Sequence, residues 1–329
     1  MTDETGLGRT ATPLGGSSER RIVRLDASRR EEGLSALLGG DRASVQRFLA
    51  FAAQTHLRLD GLWACLSSEG RAELAILAAP SAGRTATLFA TAARSAGDVP
   101  TLAALVATAH RELHDLDVDL AQALIDPHDT LQLDAFDRSG MSRLATLSYM
   151  ERPLSRRTQP SPPAWPDDIR AETWDPRNRA ELIAALERTY VDTLDCPALA
   201  GLRRGEDVLE GHLHSGRYEP ALWTIVRFAS GAHANSIAGL CLLNGAHEAA
   251  GSRGAVELVY LGLVPEARRR GLGRLLLQHG LSLLGDRAER NVLLAVDERN
   301  EPASRLYRAA GFRFAQRRVA FIRPVQRST

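Results

Sequence analysis

The chain has 329 residues, with 41 basic and 40 acidic side chains and a formal net charge of +1. That length predicts two domains, each with an ample core, and so small a net charge excludes a global field favouring nucleic acid or an anionic membrane. The three cysteines (Cys65, Cys196, Cys241) form no disulfide or CxxC framework, which fits a reducing cytoplasm; no apolar run is long enough to span a bilayer, so neither a transmembrane helix nor a leader of secretory type is expected.

In chain order, residues 1 to about 20 read as a polar tail rich in Gly, Ser and Thr. A first strand is predicted at Arg21–Leu25. Helices follow at Glu31–Leu38 and Asp41–Thr55, the second capped by Asp41. Strands are expected at Leu62–Ser67, Ala72–Ala79 and Thr85–Ala92, and a helix at Thr101–His114. Then come a strand at Leu120–Ile125, a short helix from Asp129 to Ser139 ending at Gly140, and a strand at Leu144–Met150. Residues 151–166 hold five prolines and no apolar period, the composition of a linker. Beyond it, Ile169–Trp174 reads as a strand, Ala180–Leu194 and Glu206–Ser215 as helices, and Leu222–Phe228 and Ser236–Leu243 as strands. Every basic residue is Arg, none Lys, and Ala, Leu and Gly abound, the codon signature of a GC-rich bacterial genome.

The stretch Val256–Leu284 organises the rest. Val256–Val264 is an apolar strand stopped by Pro265. Arg268, Arg269 and Arg270 lead into Gly271, Leu272, Gly273 and Arg274, and a helix beginning near Gly273 is expected to end at Gly285. A helix N-terminus offers amide N–H groups without internal partners, together with the positive end of the macrodipole. Glycines let an anion reach that backbone. The spacing is neither a Walker P-loop nor a dinucleotide fingerprint. A second buried strand, Asn291–Val296, is followed by Asn300, a good N-cap, by a helix with Ala303, Leu306, Tyr307 and Ala310 on one face, and by Gly311-Phe312.

The run Arg268-x-x-Gly271-x-Gly273 after a strand reading Leu261-Gly262-Leu263, with the later strand–Asn–helix–Tyr–Gly–Phe order, resembles the GNAT superfamily of N-acetyltransferases. The likeness is strong over residues 256–324 and looser over 167–255. It implies an acetyl-CoA-dependent N-acetyltransferase that transfers the acetyl group to a primary amine by direct attack in a ternary complex, with no metal. The loop Arg268–Arg274 would hold the coenzyme's pyrophosphate, the Leu261–Leu263 backbone would pair with the pantetheine and polarise the thioester, and Asn300 would touch the coenzyme. Tyr307 would protonate the leaving thiolate. Glu257, eleven residues before Arg268, would be the base. An alternative from another class is a non-catalytic acyl-CoA sensor on the same fold.

An offset of 171 residues aligns Asp126, Gly140, Arg152 and Pro153 with Asp297, Gly311, Arg323 and Pro324, and Phe136 with Tyr307. The expected architecture is therefore α/β (α+β), two tandem GNAT-like domains. Each would be a mixed, mostly antiparallel central sheet flanked by helices. The first, residues 21–150, would be degenerate, since Ala92–Thr101 has no coenzyme loop and Asp98 would oppose a phosphate. The second, residues 167–329, would be catalytic, and the chain a monomer standing as a pseudo-dimer. His110 and His114 sit one helical turn apart without a third metal ligand, so a solvated face is expected. His212 and His214 could line the acceptor site, and Cys196 reads as packed. Arg313, Arg317, Arg318 and Arg323 read as a solvated face.

Overall fold

In the computed structural model the described residues are 20–55, 57–155, 159–245, 254–285 and 287–326. The predicted N-terminal tail lies almost wholly outside them. The first half forms β1 (Arg21–Arg24), α1 (Arg30–Leu37), α2 (Arg42–Gln54), β2 (Leu62–Leu66), β3 (Ala72–Ser81), β4 (Thr85–Ala90), α3 (Val99–Arg111), β5 (Leu120–Ile125), α4 (Thr130–Arg138) and β6 (Ser142–Pro153). The second forms β7 (Ile169–Thr173), α5 (Arg179–Thr189), α6 (Gly205–Leu213), β8 (Trp223–Phe228), β9 (Ile237–Asn244), β10 (Ala255–Leu263), α7 (Leu272–Ser282), β11 (Asn291–Asp297), α8 (Glu301–Ala309) and β12 (Arg313–Pro324). Local chemistry sets several boundaries. Asp41, Asp129 and Asn300 each accept a first-turn N–H and so start α2, α4 and α8.

Two compact units result: Met1–Arg143 with Val319–Thr329, and Leu144–Arg318. The sheet of the first runs β1-β2-β3-β4-β5-β12, that of the second β7-β8-β9-β10-β11-β6. The two sheets share one plan. Among the registers described, every neighbouring pair is antiparallel except β4 with β5 and β10 with β11. In each, the sixth strand comes from the other half of the chain. Leu147–Pro153 of β6 pairs with β11, and Val319–Pro324 of β12 pairs with β5.

The repeated residues make repeated contacts. Arg152 donates from Nε to Ala310 O at 2.9 Å, and Arg323 from Nη1 to Ser139 O at 2.9 Å. Each guanidinium thus satisfies a free carbonyl at the C-terminus of α8 or α4, a charge-assisted bond contributing roughly 1.5–3 kcal/mol. Gly311 and Gly140, which end those helices, sit at φ +88° and +86°, where a Cβ would be strained. Asp126 accepts from His128 N–H, and Asp297 from Arg299 N–H, both at 2.9 Å.

Both faces of each sheet are covered. The first unit packs α3 and α4 around Leu102, Leu105 and Phe136 on one face, and α1 and α2 around Leu34 and Val45 on the other. The second packs α7 and α8 around Leu276, Tyr307 and Phe312, and α5 and α6 around Trp223, Leu186 and Leu209. Five sequence expectations are corrected. The segment predicted as linker starts inside β6, and Trp165 packs against His279 with ring centroids 5.8 Å apart. Helix α5 stops at Thr189 rather than Leu194, because the Arg268 guanidinium takes the Thr189 and Val191 carbonyls and Asp192 turns to φ +53°. Gly285 does not adopt positive φ. Neither His110 nor Arg323 is on a solvated face: His110 is buried with Nε2 3.2 Å from Pro324 O, and Arg323 is the helix cap just described.

Candidate active site

Strands β10 and β11 pair at three positions only, Ala255↔Asn291, Val256↔Val292 and Glu257↔Leu293. Beyond Glu257, β10 continues with β9 alone and β11 with β6. The two parallel strands therefore part, and Leu258–Leu263 presents an edge unpaired among the described residues, including the candidate residues Leu261, Gly262 and Leu263. The Val264 N–H donates to Ala238 O on the β9 side at 3.0 Å. Alternation then turns the N–H groups of Leu261 and Leu263 toward the opening. A β-bulge between Leu258 and Tyr260 inserts Val259. It brings Tyr260 onto the face of Glu257, which strict alternation forbids.

The loop after β10 makes a short 3-10 turn, Pro265–Ala267, and then reaches α7 through Gly271 at φ +74° and Arg269 at φ +61°. Among the described residues no group accepts from the N–H of Arg269, Arg270, Gly271, Leu272 or Gly273. A Cβ on Gly271 would project into open space. Five successive free amides at a helix N-terminus are an anion-binding arrangement. Arg269 and Arg274 are exposed beside them. Arg270 pairs with Asp168 at 2.6 Å. Arg268 is braced inward: Nε donates to Leu263 O at 3.2 Å, and Nη2 to Thr189 O and Val191 O at 3.0 and 2.7 Å. Its side chain ties α5 to the end of β10, a role its place in the motif did not reveal.

Asn300 accepts from Ala303 N–H at 3.2 Å and starts α8. That helix carries Tyr307, 7% exposed, with its ring edge-on to Phe312 at 5.9 Å. The hydroxyl bonds to no group among the described residues, and burial, reinforced by Asp195, pushes the phenol's pKa up. Glu257 is exposed and accepts from Ser215 Oγ at 2.9 Å. The segment after α5 closes the mouth. Asp195 Oδ1 accepts from Asp297 N–H at 2.9 Å, and Cys196 N–H donates to Asp297 Oδ2 at 3.3 Å. Burial and the two carboxylates push the Cys196 thiol up to about 12, so it stays a protonated, unreactive thiol.

Behind this mouth, Tyr190 and Tyr260 meet edge-on at 5.8 Å, and His212 lies against Tyr260 at 5.4 Å. Burial, with the Arg203 charge behind it, lowers the His212 imidazole to about 3. Unfolded His212 takes up a proton near pH 6.5, whereas the folded residue stays neutral until pH reaches about 3. Between these values acidification favours the unfolded chain. We expect His212→Gln to flatten the fall in urea midpoint between pH 6.5 and 5, by up to about 1.36 kcal/mol per pH unit. An unchanged slope would show that His212 protonates normally in the fold. His214, by contrast, is exposed.

The same positions in the first unit are filled from within. Strands β4 and β5 also pair over only three positions. Here Gln132 Nε2 donates to Ala90 O at 2.8 Å and to Thr91 O at 3.3 Å, occupying the backbone at the end of β4. Asp98 Oδ2 accepts from the N–H groups of Arg94 and Ser95 at 3.2 and 3.1 Å. An internal carboxylate thus satisfies amides before α3. Asp98 was visible in the sequence. Gln132 is marked in the sequence only by its polar place on the Leu133–Phe136 core face.

Residues 201–312 match the Acetyltransferase (GNAT) family. That stretch of the chain is similar to a GNAT-family domain. A mycothiol acetyltransferase of Thermobispora bispora is 34% identical over 176 residues, 53% of this chain and 55% of that protein. One of Clavibacter sepedonicus is 34% identical over 119 residues, 36% of this chain and 35% of that protein. The chain thus spans about half the length, or less, of these curated relatives. Solved structures match the fold more widely. A GCN5-related N-acetyltransferase of Sphaerobacter thermophilus superposes with TM-score 0.62 at 21% identity over 94% of this chain and 97% of that one. A tandem GNAT protein from the clavulanic acid biosynthesis pathway superposes with TM-score 0.55 at 17% identity, covering 94% and 100%. The fold is accordingly a tandem pair of GNAT-like α/β domains. The parted β10 and β11, the glycine loop and α8 all lie in the second. No helix among the described residues is long and apolar enough to cross a membrane, and no metal-binding group of side chains occurs among them.

Proposed function

We propose that the second unit is an N-acetyltransferase taking acetyl-CoA as donor and a primary amine as acceptor, joined in one ternary complex. The observation that carries this reading is the run of free amides from Arg269 to Gly273 opening beside the unpaired edge of β10. Acetyl-CoA supplies an acyl group activated as a thioester. The amides, with exposed Arg269 and Arg274, suit its diphosphate, and the absent side chain at Gly271 leaves room for it. The Leu261–Leu263 edge offers backbone partners to an extended amide-bearing arm, with Asn300 at the mouth. An N–H of Leu261 or Leu263 facing the acyl oxygen would stabilise developing charge by roughly 3 kcal/mol.

Glu257 takes the proton from the acceptor's ammonium, directly or through water, so that the amine lone pair can form the new C–N bond. As the C–S bond breaks, Tyr307 gives its proton to the departing sulfur and the new amide nitrogen loses its second proton to solvent; Glu257 then sheds a proton and Tyr307 regains one, so that one proton is released per acetyl transferred. Cys196 takes no part. We read the first unit as a non-catalytic partner within a monomer, because Gln132 and Asp98 fill its equivalent positions. Three free cysteines, Cys65, Cys196 and Cys241, fit a reducing cytoplasm.

The reading is tested by amine-dependent release of free thiol from acetyl-CoA across a panel of primary amines. Turnover is expected with at least one class. Glu257→Gln should lower its kcat/KM by about 10²–10⁴-fold with acetyl-CoA affinity kept. Donor binding without turnover on any amine would instead favour a sensor.

A further inference from the structure

Two carboxylates border the opening between β10 and β11 without an ion-pair partner among the described residues. Glu257 marks the last position at which β10 pairs with β11; it accepts from Ser215 Oγ, and its charge opposes ionisation of the Tyr149 phenol. Asp195 lies across the mouth at the tip of β11, where its Oδ1 accepts the Asp297 N–H at 2.9 Å. The neighbouring Asp297 has its own cation, Arg299, at 2.7 Å. Asp195 has none. The residue is exposed at the mouth, yet its carboxyl is turned toward buried Asp297. Desolvation in that position raises its pKa, while the Asp297 N–H and Asn300 favour the charged form.

The Asp195 charge opposes the ionisation of three phenols, Tyr190, Tyr260 and the acid candidate Tyr307. The wall beside them is also incompletely paired. His212 Nε2 and Arg203 Nε are enclosed, and neither has a hydrogen-bond partner among the described residues. The His212 ring lies against Tyr260, and Arg203 bears electrostatically on both Tyr190 and His212. The backbone that presents Asp195 is held in place too, with Cys196 at φ +46° and tied to Asp297. A non-glycine residue at positive φ is uncommon and persists where surrounding contacts fix it.

We propose that Asp195 holds the acceptor's ammonium group at the mouth of the opening, with Tyr190 and Tyr260 as its walls, and delivers it to Glu257. This rests on the acyl-transfer reading. Its consequence is an acceptor class. The nitrogen would pass from one carboxylate to the other, so like-charge repulsion disfavours an amine with a free carboxylate on the adjacent carbon. The acceptor is a cationic primary amine without an α-carboxylate.

The test uses the full chain labelled with ¹³C at aspartate carboxyls, titrated at constant ionic strength with ethylammonium, glycine or potassium ions. One resonance, identified by its loss in Asp195→Asn, should shift saturably with ethylammonium and with neither glycine nor potassium. Asp195→Glu should retain weaker ethylammonium binding. An Asp195 resonance that ignores ethylammonium, or follows glycine equally, would overturn the proposal. Acetyl-CoA calorimetry on the same proteins separates the two readings. Asp195→Asn should keep donor affinity, which also shows that it folds. Absence of donor binding in the unchanged protein would defeat the acyl-transfer reading, whatever the carboxylate does.

Discussion

Tyr307→Phe should lower acyl transfer by about 10²–10⁴-fold while leaving acetyl-CoA affinity and folding stability close to those of the unchanged protein. The ring fills a core position against Phe312, and Phe fills it equally. The hydroxyl bonds to nothing among the described residues, so its removal leaves no buried partner unsatisfied. What is lost is a proton donor. Burial, with the Asp195 charge behind it, pushes the phenol up, so it holds its proton at neutral pH until a basic group forms beside it. The departing thiolate is such a group. The check is kcat, KM for both substrates and a urea midpoint on the same preparation. A variant with unchanged kcat would make Tyr307 an ordinary core aromatic and leave solvent as the acid.

The equivalent position in the first unit should behave in the opposite way. Phe136 lies 171 residues before Tyr307, on the equivalent helix, fully buried with its ring centroid 5.5 Å from that of Phe321. Phe136→Ala removes a large side chain from a packed core. It should cost about 3–5 kcal/mol, read as a lowered urea midpoint, with little change in the intrinsic kcat of the molecules that remain folded. A small stability loss would mean that the core around α4 collapses easily into the space. Loss of kcat in the folded fraction would give the first unit a part in the chemistry, against the filling of its site by Gln132 and Asp98.

The sequence made the chemistry more legible than the construction around it. The glycines and arginines after a stopped strand, and an Asn-capped helix carrying Tyr307, are contiguous, so spacing alone was enough to locate them. The weak repeat was legible for the same reason, because Gly140 with Arg323 and Gly311 with Arg152 solve one helix-ending problem twice. Its strand exchange was not legible. The apolar patterns of β6 and β12 say that each is a strand, but not which sheet it joins. Nor was the bulge at Val259, since an inserted residue leaves no mark in an apolar run and yet decides that Tyr260 shares a face with Glu257. Arg268 looked like a phosphate ligand because its neighbours do. Only the end of α5 shows that its guanidinium is engaged. Asp195 stands in a segment of irregular backbone, where no period announces which side chain turns inward.

The central claim is a single donor site, built on the glycine loop of the second unit. Calorimetric titration of acetyl-CoA into the full chain, unchanged and as Gly271→Asp, tests it most directly. The substitution puts a carboxylate among the free amides and a Cβ on a residue at φ +74°. The account predicts one site per chain in the unchanged protein and none in the variant. At a ligand concentration near 100 times Kd, the melting curve of the unchanged protein should reflect about 2.7 kcal/mol of stabilisation that the variant lacks. Two sites per chain, or binding that survives Gly271→Asp, would contradict it.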